Sequence, residues 1–328
     1  MTPRFALGTF ATSEGERFAG VVREDRVVRL DRVGWTPFPT IETLLDDWDA
    51  SFVALEDVVS RVHSLDPGAV FPLTQVSTLL PFRARQLLQA GANYRKHVID
   101  LAVRHRSGED AELPEEEFRA RAGRMMDERA ENDLPYIFIG LPSSMSGPYD
   151  DVVLPAGTEQ HDWELELGVV IGRRGRNISR ADALDFVAGY VIANDLTTRD
   201  RVFRQDIPAI GTDWLRSKNG PTFLPTGPWL VPSRFVPEPQ DLRITLRLNG
   251  YVMQDETTGD MLFDVARLVA FASSMVEIGP GDLLLTGSPA GNGMHWGRML
   301  RPGDVMEGEI TGLGMQRNCC VAEGRAPG

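Results

Sequence analysis

The sequence predicts an α+β protein, mainly β, in which a small N-terminal domain precedes a larger one. Three observations predict it. At 328 residues the chain exceeds what one hydrophobic core usually serves, since single cores stop growing near ~250 to 300 residues. From residue 86 onward, short apolar runs punctuated by Gly and Pro outnumber helical patterns. An apolar content of 42% with 25% charged residues is ordinary for a globular chain.

Taken in order, residues 1–80 hold the alternating runs Phe5-Ala6-Leu7-Gly8-Thr9-Phe10, Arg17-Phe18-Ala19-Gly20-Val21-Val22 and Arg26-Val27-Val28-Arg29-Leu30, then a helical pattern over 41–63. This reads as the small β-rich domain, and Leu79-Leu80-Pro81-Phe82 as its exit. In the larger domain, 81–328, strands are expected at 87–92, 136–141, 151–154, 163–171, 187–194, 228–232, 242–249, 282–286 and 304–310. Helices are expected at 179–187 and 261–277. Residues 105–133 are dense in charge, and Pro114-Glu115-Glu116-Glu117 opens a helix with acids in its first turn, which suits the helix dipole. Phe118, Ala122, Met125 and Met126 give that helix a narrow apolar stripe. Two readings of the insert at about 98–133 stand side by side: a helical lid over a site, or a solvated surface excursion.

Composition also excludes function classes. A net charge of -13 argues against a nucleic-acid surface, which needs a basic patch. No apolar run reaches the ~18 residues of a membrane span, and Met1-Thr2-Pro3-Arg4-Phe5 has no secretory hydrophobic region, so the expectation is a cytoplasmic protein with no membrane partner. The two cysteines, Cys319 and Cys320, are adjacent and match neither a disulfide framework nor zinc spacing. Any metal must therefore be held by oxygen or histidine.

The run Asp162-Trp163-Glu164-Leu165-Glu166-Leu167-Gly168-Val169-Val170-Ile171 carries most of the chemistry. Alternate residues of a strand share a face, so Glu164 and Glu166 point one way and Trp163, Leu165 and Leu167 the other. On an exposed strand these would be two solvated charges. Half-buried among apolar flanks, they repel and lose hydration unless a cation lies between them. Asp195 ends a second apolar run, Gly189-Tyr190-Val191-Ile192-Ala193-Asn194-Asp195, and is the third ligand candidate. Three oxygen donors without a thiolate favour a hard cation, Mg²⁺ or Mn²⁺ first, with Ca²⁺ as the alternative.

After a strand comes Gly91-Ala92-Asn93-Tyr94-Arg95-Lys96-His97-Val98-Ile99-Asp100. If a helix starts at 95, His97 and Asp100 share a face and can form a general-base pair; the plainer reading is a surface histidine beside an acid. His161 lies close in sequence to Glu164, His295 sits in a glycine-rich loop, and nothing singles out His63 or His105. Lys218 is either solvated or placed to reach an anionic ligand. Leu285-Thr286-Gly287-Ser288-Pro289-Ala290-Gly291 runs from strand into a loop whose amides and Thr286 hydroxyl can hold a carboxylate.

In this order the segments resemble the fumarylacetoacetate hydrolase family. The resemblance rests on Asn93-Tyr94-x-x-His97, Pro142-Ser143-Ser144, Trp163-Glu164-x-Glu166, Ala193-Asn194-Asp195-x-x-x-Arg199-Asp200, Lys218 and Thr286-Gly287-x-Pro289-x-Gly291, over about 89–321. It implies a mixed-sheet β-roll, usually homodimeric, that hydrolyses a carbon-carbon bond in a 2,4-dioxo acid. Glu164, Glu166 and Asp195 would be metal ligands, His97 with Asp100 the water-activating dyad, and Lys218 a further catalytic group. Tyr94, Arg199, Thr286 and Gly287 would lie on the substrate side. Decarboxylation, isomerisation or hydration of a 2-oxo acid is the alternative, and a ligand-binding protein on the same roll is a third reading. Three departures bear on the pocket. Asp100 stands where many members carry Glu, Phe138-Ile139-Gly140-Leu141 lacks their lysine, and the insert exceeds the usual lid.

Overall fold

The computed structural model describes residues 5–34, 39–106 and 108–324. Residues 1–4, on which the leader expectation partly falls, lie outside these, as do the side chains of His63 and His105. At the N-terminus β1 (Ala6–Ala11), β2 (Arg17–Arg23), β3 (Arg26–Arg29), β4 (Val70–Pro72) and β5 (Ser77–Thr78) form an antiparallel sheet in the order β4-β3-β2-β1-β5. Between β3 and β4 run α1 (Ile41–Asp46) and α2 (Trp48–Ser60). The helical pattern over 41–63 resolves into two helices separated at Asp47, which leaves helical geometry and caps the second helix by accepting from the Ala50 amide.

The chain continues through β6 (Leu87–Gly91), α3 (Arg95–His105), α4 (Glu115–Asn132), β7 (Tyr136–Gly140), β8 (Met145–Ser146), β9 (Val152–Leu154), β10 (His161–Asp162), β11 (Leu165–Ile171), β12 (Val187–Asn194), β13 (Thr197–Thr198), α5 (Trp214–Lys218), β14 (Leu224–Pro225) and β15 (Val231–Pro232). It closes with β16 (Arg243–Leu248), β17 (Tyr251–Thr257), α6 (Val265–Met275), β18 (Leu283–Leu285), α7 (Gly293–Trp296), β19 (Val305–Ile310) and β20 (Gly314–Ala322). Two large mixed sheets result, ordered β15-β12-β11-β18-β6-β7 and β17-β16-β19-β20-β9. β17 and β20 were not expected, because pairing with β16 and β19 makes them strands while their buried positions include the polar Gln254, Gln316 and Asn318.

Two expected helices shrink. Residues 179–187 give only a 3₁₀ turn at Ala183–Phe186, since β12 takes Val187. At 261–277 the helix begins after Asp264, whose carboxylate caps the Arg267 amide at 2.7 Å. The Leu262 and Phe263 amides, held by the Asn93 carbonyl and side-chain oxygen, keep the preceding residues extended.

Alternation along β11 places Leu165, Leu167, Val169 and Ile171 in one core and Val170 in a second, which also takes Val191, Leu283 and Leu285. Each such side chain contributes roughly 1.5 to 3 kcal/mol when buried. The second core includes Leu7, Val21, Leu44 and Phe52, so the N-terminal layer packs on this face of the six-stranded sheet. Leu7 and Leu230 exchange both backbone hydrogen bonds at 2.8 Å across that junction.

Helices α3 and α4 form a hairpin. Ile99, Phe118 and Ala122 are buried together with Met126 against them, whereas Met125, expected on the same stripe, is exposed. Arg95 pairs with Asp127 at 2.7 Å, and Arg129 donates to the Ala92 carbonyl at 2.8 Å, tying the hairpin to the end of β6.

Candidate active site

The register of β11 and β12 sets Glu166 opposite Ala193 and Leu165 opposite Asn194. One step further, the Asp195 amide donates to the Glu164 carbonyl at 2.8 Å, so Glu164 and Asp195 face each other at the strand ends, on the side Glu166 shares. All three acids are buried, and each offers an oxygen within 4.8 Å of the others.

What surrounds them is arranged around charge. Lys218, at the end of α5, donates from Nζ to Glu164 Oε2 at 2.5 Å, Asp195 Oδ2 at 2.6 Å and the Asp195 carbonyl at 2.9 Å. Arg199 donates to Asp162 Oδ2 at 2.8 Å and to Glu164 Oε1 at 2.5 Å. Asp162 also accepts from the Trp163 and Gly293 amides, which anchors the loop after β18 to the site. Glu166 Oε2 accepts from the Gly287 amide at 2.7 Å. Gly287 has φ +91°, and a Cβ there would lie 3.2 Å from the Ala90 carbonyl, so glycine suits the turn that aims this amide.

Gln89 on β6 donates from Nε2 to Asp195 Oδ1 at 2.6 Å, while its Oε1 is buried without a partner. Gly140 makes room for that amide, because an added Cβ would stand 2.1 Å from Gln89 Oε1 and 2.6 Å from Leu87 Cδ2. Gly140→Ala is therefore expected to destabilise by about 1 to 3 kcal/mol. A urea titration should show a lower midpoint at unchanged slope; an unmoved midpoint would mean that Gln89 swings clear at no cost.

Burial raises the carboxyls here, and the neighbours decide the outcome. Burial, then Asp195, push Glu166 well above the usual carboxylate range. Burial lifts Asp195 to about 6 against the pull of Lys218. For Glu164 burial is outweighed by Arg199 and Lys218, and it stays below its ordinary value. Four carboxylates, Asp162, Glu164, Glu166 and Asp195, thus meet two cations, Lys218 and Arg199. The missing positive charge equals that of one divalent ion, and the donors are hard oxygens at a suitable separation, so these residues fit Mg²⁺ or Mn²⁺.

A cavity of about 170 Å³ opens on this cluster and is lined by Glu164, Glu166, Asp195, Arg199, Lys218 and His97. His97 is buried on α3, and burial depresses its imidazole from 6.5 to about 4, leaving it neutral. The expected His97–Asp100 hydrogen bond is not formed. The two share a helical face, but Asp100 is drawn across to Arg119 at 2.8 Å and His295 Nδ1 at 3.2 Å, where it lines a separate groove. Nor is the Thr286 hydroxyl free: it donates to the Leu167 carbonyl at 3.0 Å, and the carboxylate that the loop holds is the chain's own Glu166. Tyr94 is fully buried in the core behind the site. His161 lies 3.0 Å from Thr198 Oγ1 and 3.1 Å from the Pro155 carbonyl, in a structural role.

Sequence reasoning missed Asp162, Gln89 and the aromatic wall of Tyr136, Phe138 and Trp214. Asp162 directly precedes the acidic run, and Gln89 is the lone polar residue in Leu87-Leu88-Gln89-Ala90, so both left a signal. The wall left none, since it forms only where α5, far along the chain, brings Trp214 against Tyr136 and Phe138 of β7.

Buried acids, a lysine and a histidine lining one cavity define the class as an enzyme. Residues 86–321 match the model of the fumarylacetoacetate (FAA) hydrolase C-terminal domain, and the chain belongs to the fumarylacetoacetate hydrolase family. It is 35% identical over 306 residues to the 2,4-didehydro-3-deoxy-L-rhamnonate hydrolase of Sphingomonas sp. (strain SKA58), covering 92% of each chain. The mitochondrial oxaloacetate tautomerase FAHD2A of Homo sapiens is 36% identical over 255 residues, 77% of this chain and 72% of that one. The maleylpyruvate hydrolase from Sphingobium sp. SYK-6, solved with manganese(II) and pyruvate, superposes with a TM-score of 0.72 at 25% identity, covering 97% of this chain and 100% of that one. Among the described residues no helix is long and apolar enough to cross a membrane.

Proposed function

We propose that this protein hydrolyses the C3–C4 bond of a 2,4-dioxo acid, releasing a pyruvate-type product, in a reaction that depends on a divalent cation. The observation that carries the reading is the meeting of Glu164, Glu166, Asp195, Lys218 and His97 in one cavity. A cation held by Glu164, Glu166 and Asp195, Mg²⁺ or Mn²⁺ first and Ca²⁺ as the alternative, would supply Lewis-acid charge where the 2-oxo acid end binds. His97, neutral at working pH, takes a proton from a water attacking the C4 carbonyl. As the bond breaks, negative charge moves onto the 2-oxo oxygen of the three-carbon fragment, and the Lys218 ammonium offsets it. Arg199 holds Asp162 and Glu164 in place, Gly287 and Thr286 orient Glu166 from behind, and Tyr94 packs beneath them. Asp100 serves as a latch to α4 and α7 in this conformation. The exposed Leu134, Ile139 and Leu141 along the open edge at β7 support a homodimer, and a cytoplasmic setting is part of the same proposal.

Incubation with Mg²⁺ or Mn²⁺ and a panel of acylpyruvates, read by pyruvate release, tests the reading; no release from any of them would count against it. Tautomerisation of a 2-oxo acid is the second reading, favoured because His97 lacks an orienting hydrogen bond and moving a proton needs no attacking water. His97→Ala is expected to lower hydrolysis by roughly 10²- to 10⁴-fold. Equal retention of pyruvate release would remove His97 from the mechanism.

The imidazole also sets a pH dependence. The folded chain keeps it neutral down to about 4, whereas the unfolded chain charges it near 6.5. Its contribution to stability is therefore complete above 6.5 and is lost as pH falls toward 4. The acid limb of kcat/KM should lie below 6.5, and His97→Gln should flatten that part of the stability profile.

A further inference from the structure

Beyond the acids, Lys218 and Arg199, the cavity wall carries no charged side chain among the described residues. Leu101 comes from α3, Tyr136 and Phe138 from β7, and Trp214 from α5. The Phe138 and Trp214 rings stack with centroids 4.4 Å apart, and Phe138 lies 6.0 Å from Lys218 Nζ, so this surface begins next to the charged end. Among the polar groups of the wall, Ser288 Oγ accepts from Gln254 at 3.0 Å and donates to the Pro289 carbonyl at 3.2 Å, while the Tyr136 hydroxyl accepts from Trp214 Nε1 at 2.6 Å and keeps its own proton to donate.

Charge is the deciding point. Arg199 is held by Asp162 and Glu164, Lys218 by Glu164 and Asp195, and among the described residues no third cation lines the cavity. Arg129, close by at Ala92, donates to that residue's carbonyl and lies over the Phe263 ring. A substrate with one carboxylate can place it at the acid-and-lysine end. A second carboxylate at the far end would be desolvated against Leu101, Phe138 and Trp214 with no cation to pair it.

We infer that the enzyme selects 2,4-dioxo acids whose distal end is uncharged, and rejects those with a second carboxylate there. This rests on the hydrolase reading for the reaction but on the wall alone for the selectivity. The test uses chains of equal length. Calorimetric titration of the Mg²⁺-loaded protein with 2-oxoheptanoate and 2-oxoheptanedioate, neither of which has the C4 carbonyl needed for cleavage, reads binding without turnover. The monoacid should bind at least ~10²-fold more tightly. In parallel, 2,4-dioxoheptanoate should release pyruvate and butyrate, and 2,4-dioxoheptanedioate should be the poorer substrate by a similar factor. Leu101→Arg should raise the affinity of the diacid at least ~10-fold by giving its far carboxylate a partner. Equal or tighter binding of the wild-type diacid overturns the selectivity whatever the turnover. A preserved binding preference with no pyruvate release overturns the hydrolase reading and leaves the selectivity standing.

Discussion

Glu166→Gln is expected to lower turnover by about 10³-fold or more while leaving the metal-free protein as stable as before, or more so. The two effects have one cause. In the metal-free chain the Glu166 carboxyl is disfavoured as an anion, by burial first and by Asp195 next, so a neutral amide of the same shape removes repulsion. It can still accept the Gly287 amide that fixes the side chain. With the ion present the sign reverses, since the variant lacks one of the three oxygens that face each other within 4.8 Å. A cation at about 100 times its Kd stabilises a folded protein by ~2.7 kcal/mol, which should lift the wild-type melting temperature by roughly 5 °C. Glu166→Gln should show little of that shift. If Mg²⁺ or Mn²⁺ raises the melting temperature of the variant as much as that of the wild type, the acids are not the ion's ligands.

Lys218→Met should produce the opposite pattern. The ammonium is almost wholly buried and bridges Glu164 and Asp195, so its loss strands two carboxylates in the interior. Removing one partner of a buried pair costs about 3 to 5 kcal/mol, and the metal-free variant should unfold at correspondingly lower denaturant. Saturating Mg²⁺ should recover most of this, because the ion supplies the charge that the lysine no longer does. Turnover should still fall by ~10²- to 10³-fold, as expected when one group stabilising a developing oxyanion is removed. Equal destabilisation with and without the ion would show that Lys218 acts by packing rather than by charge.

Much of the site was legible because its first step is local. A strand repeats every two residues, so Glu164 and Glu166 had to share a face, and the run ending in Asp195 is apolar up to the acid itself. A helix starting at 95 was only a condition of the sequence reading; the structure forms it over Arg95–His105, which brings His97 near Asp100. Their hydrogen bond does not form, because Arg119 and His295, brought over by α4 and α7, compete for the same carboxylate. The loop of Thr286 and Gly287 was read as free to hold a ligand's carboxylate; in the fold the Gly287 amide holds the chain's own Glu166, and the Thr286 hydroxyl donates to the Leu167 carbonyl.

By itself, then, the chain determined which acids face together, that an oxygen-ligated cation suits them, and which family they belong to. Tertiary structure decided that Lys218, 54 positions from Glu164, is its ion partner, that Gln89 steadies Asp195 across the sheet, and that Phe138 and Trp214 close the far wall. The physical reason is that strand periodicity depends on neighbours along the chain. Ion pairing, desolvation and cavity shape depend instead on distances of a few ångströms between segments remote in sequence, and those exist only once the sheets have packed.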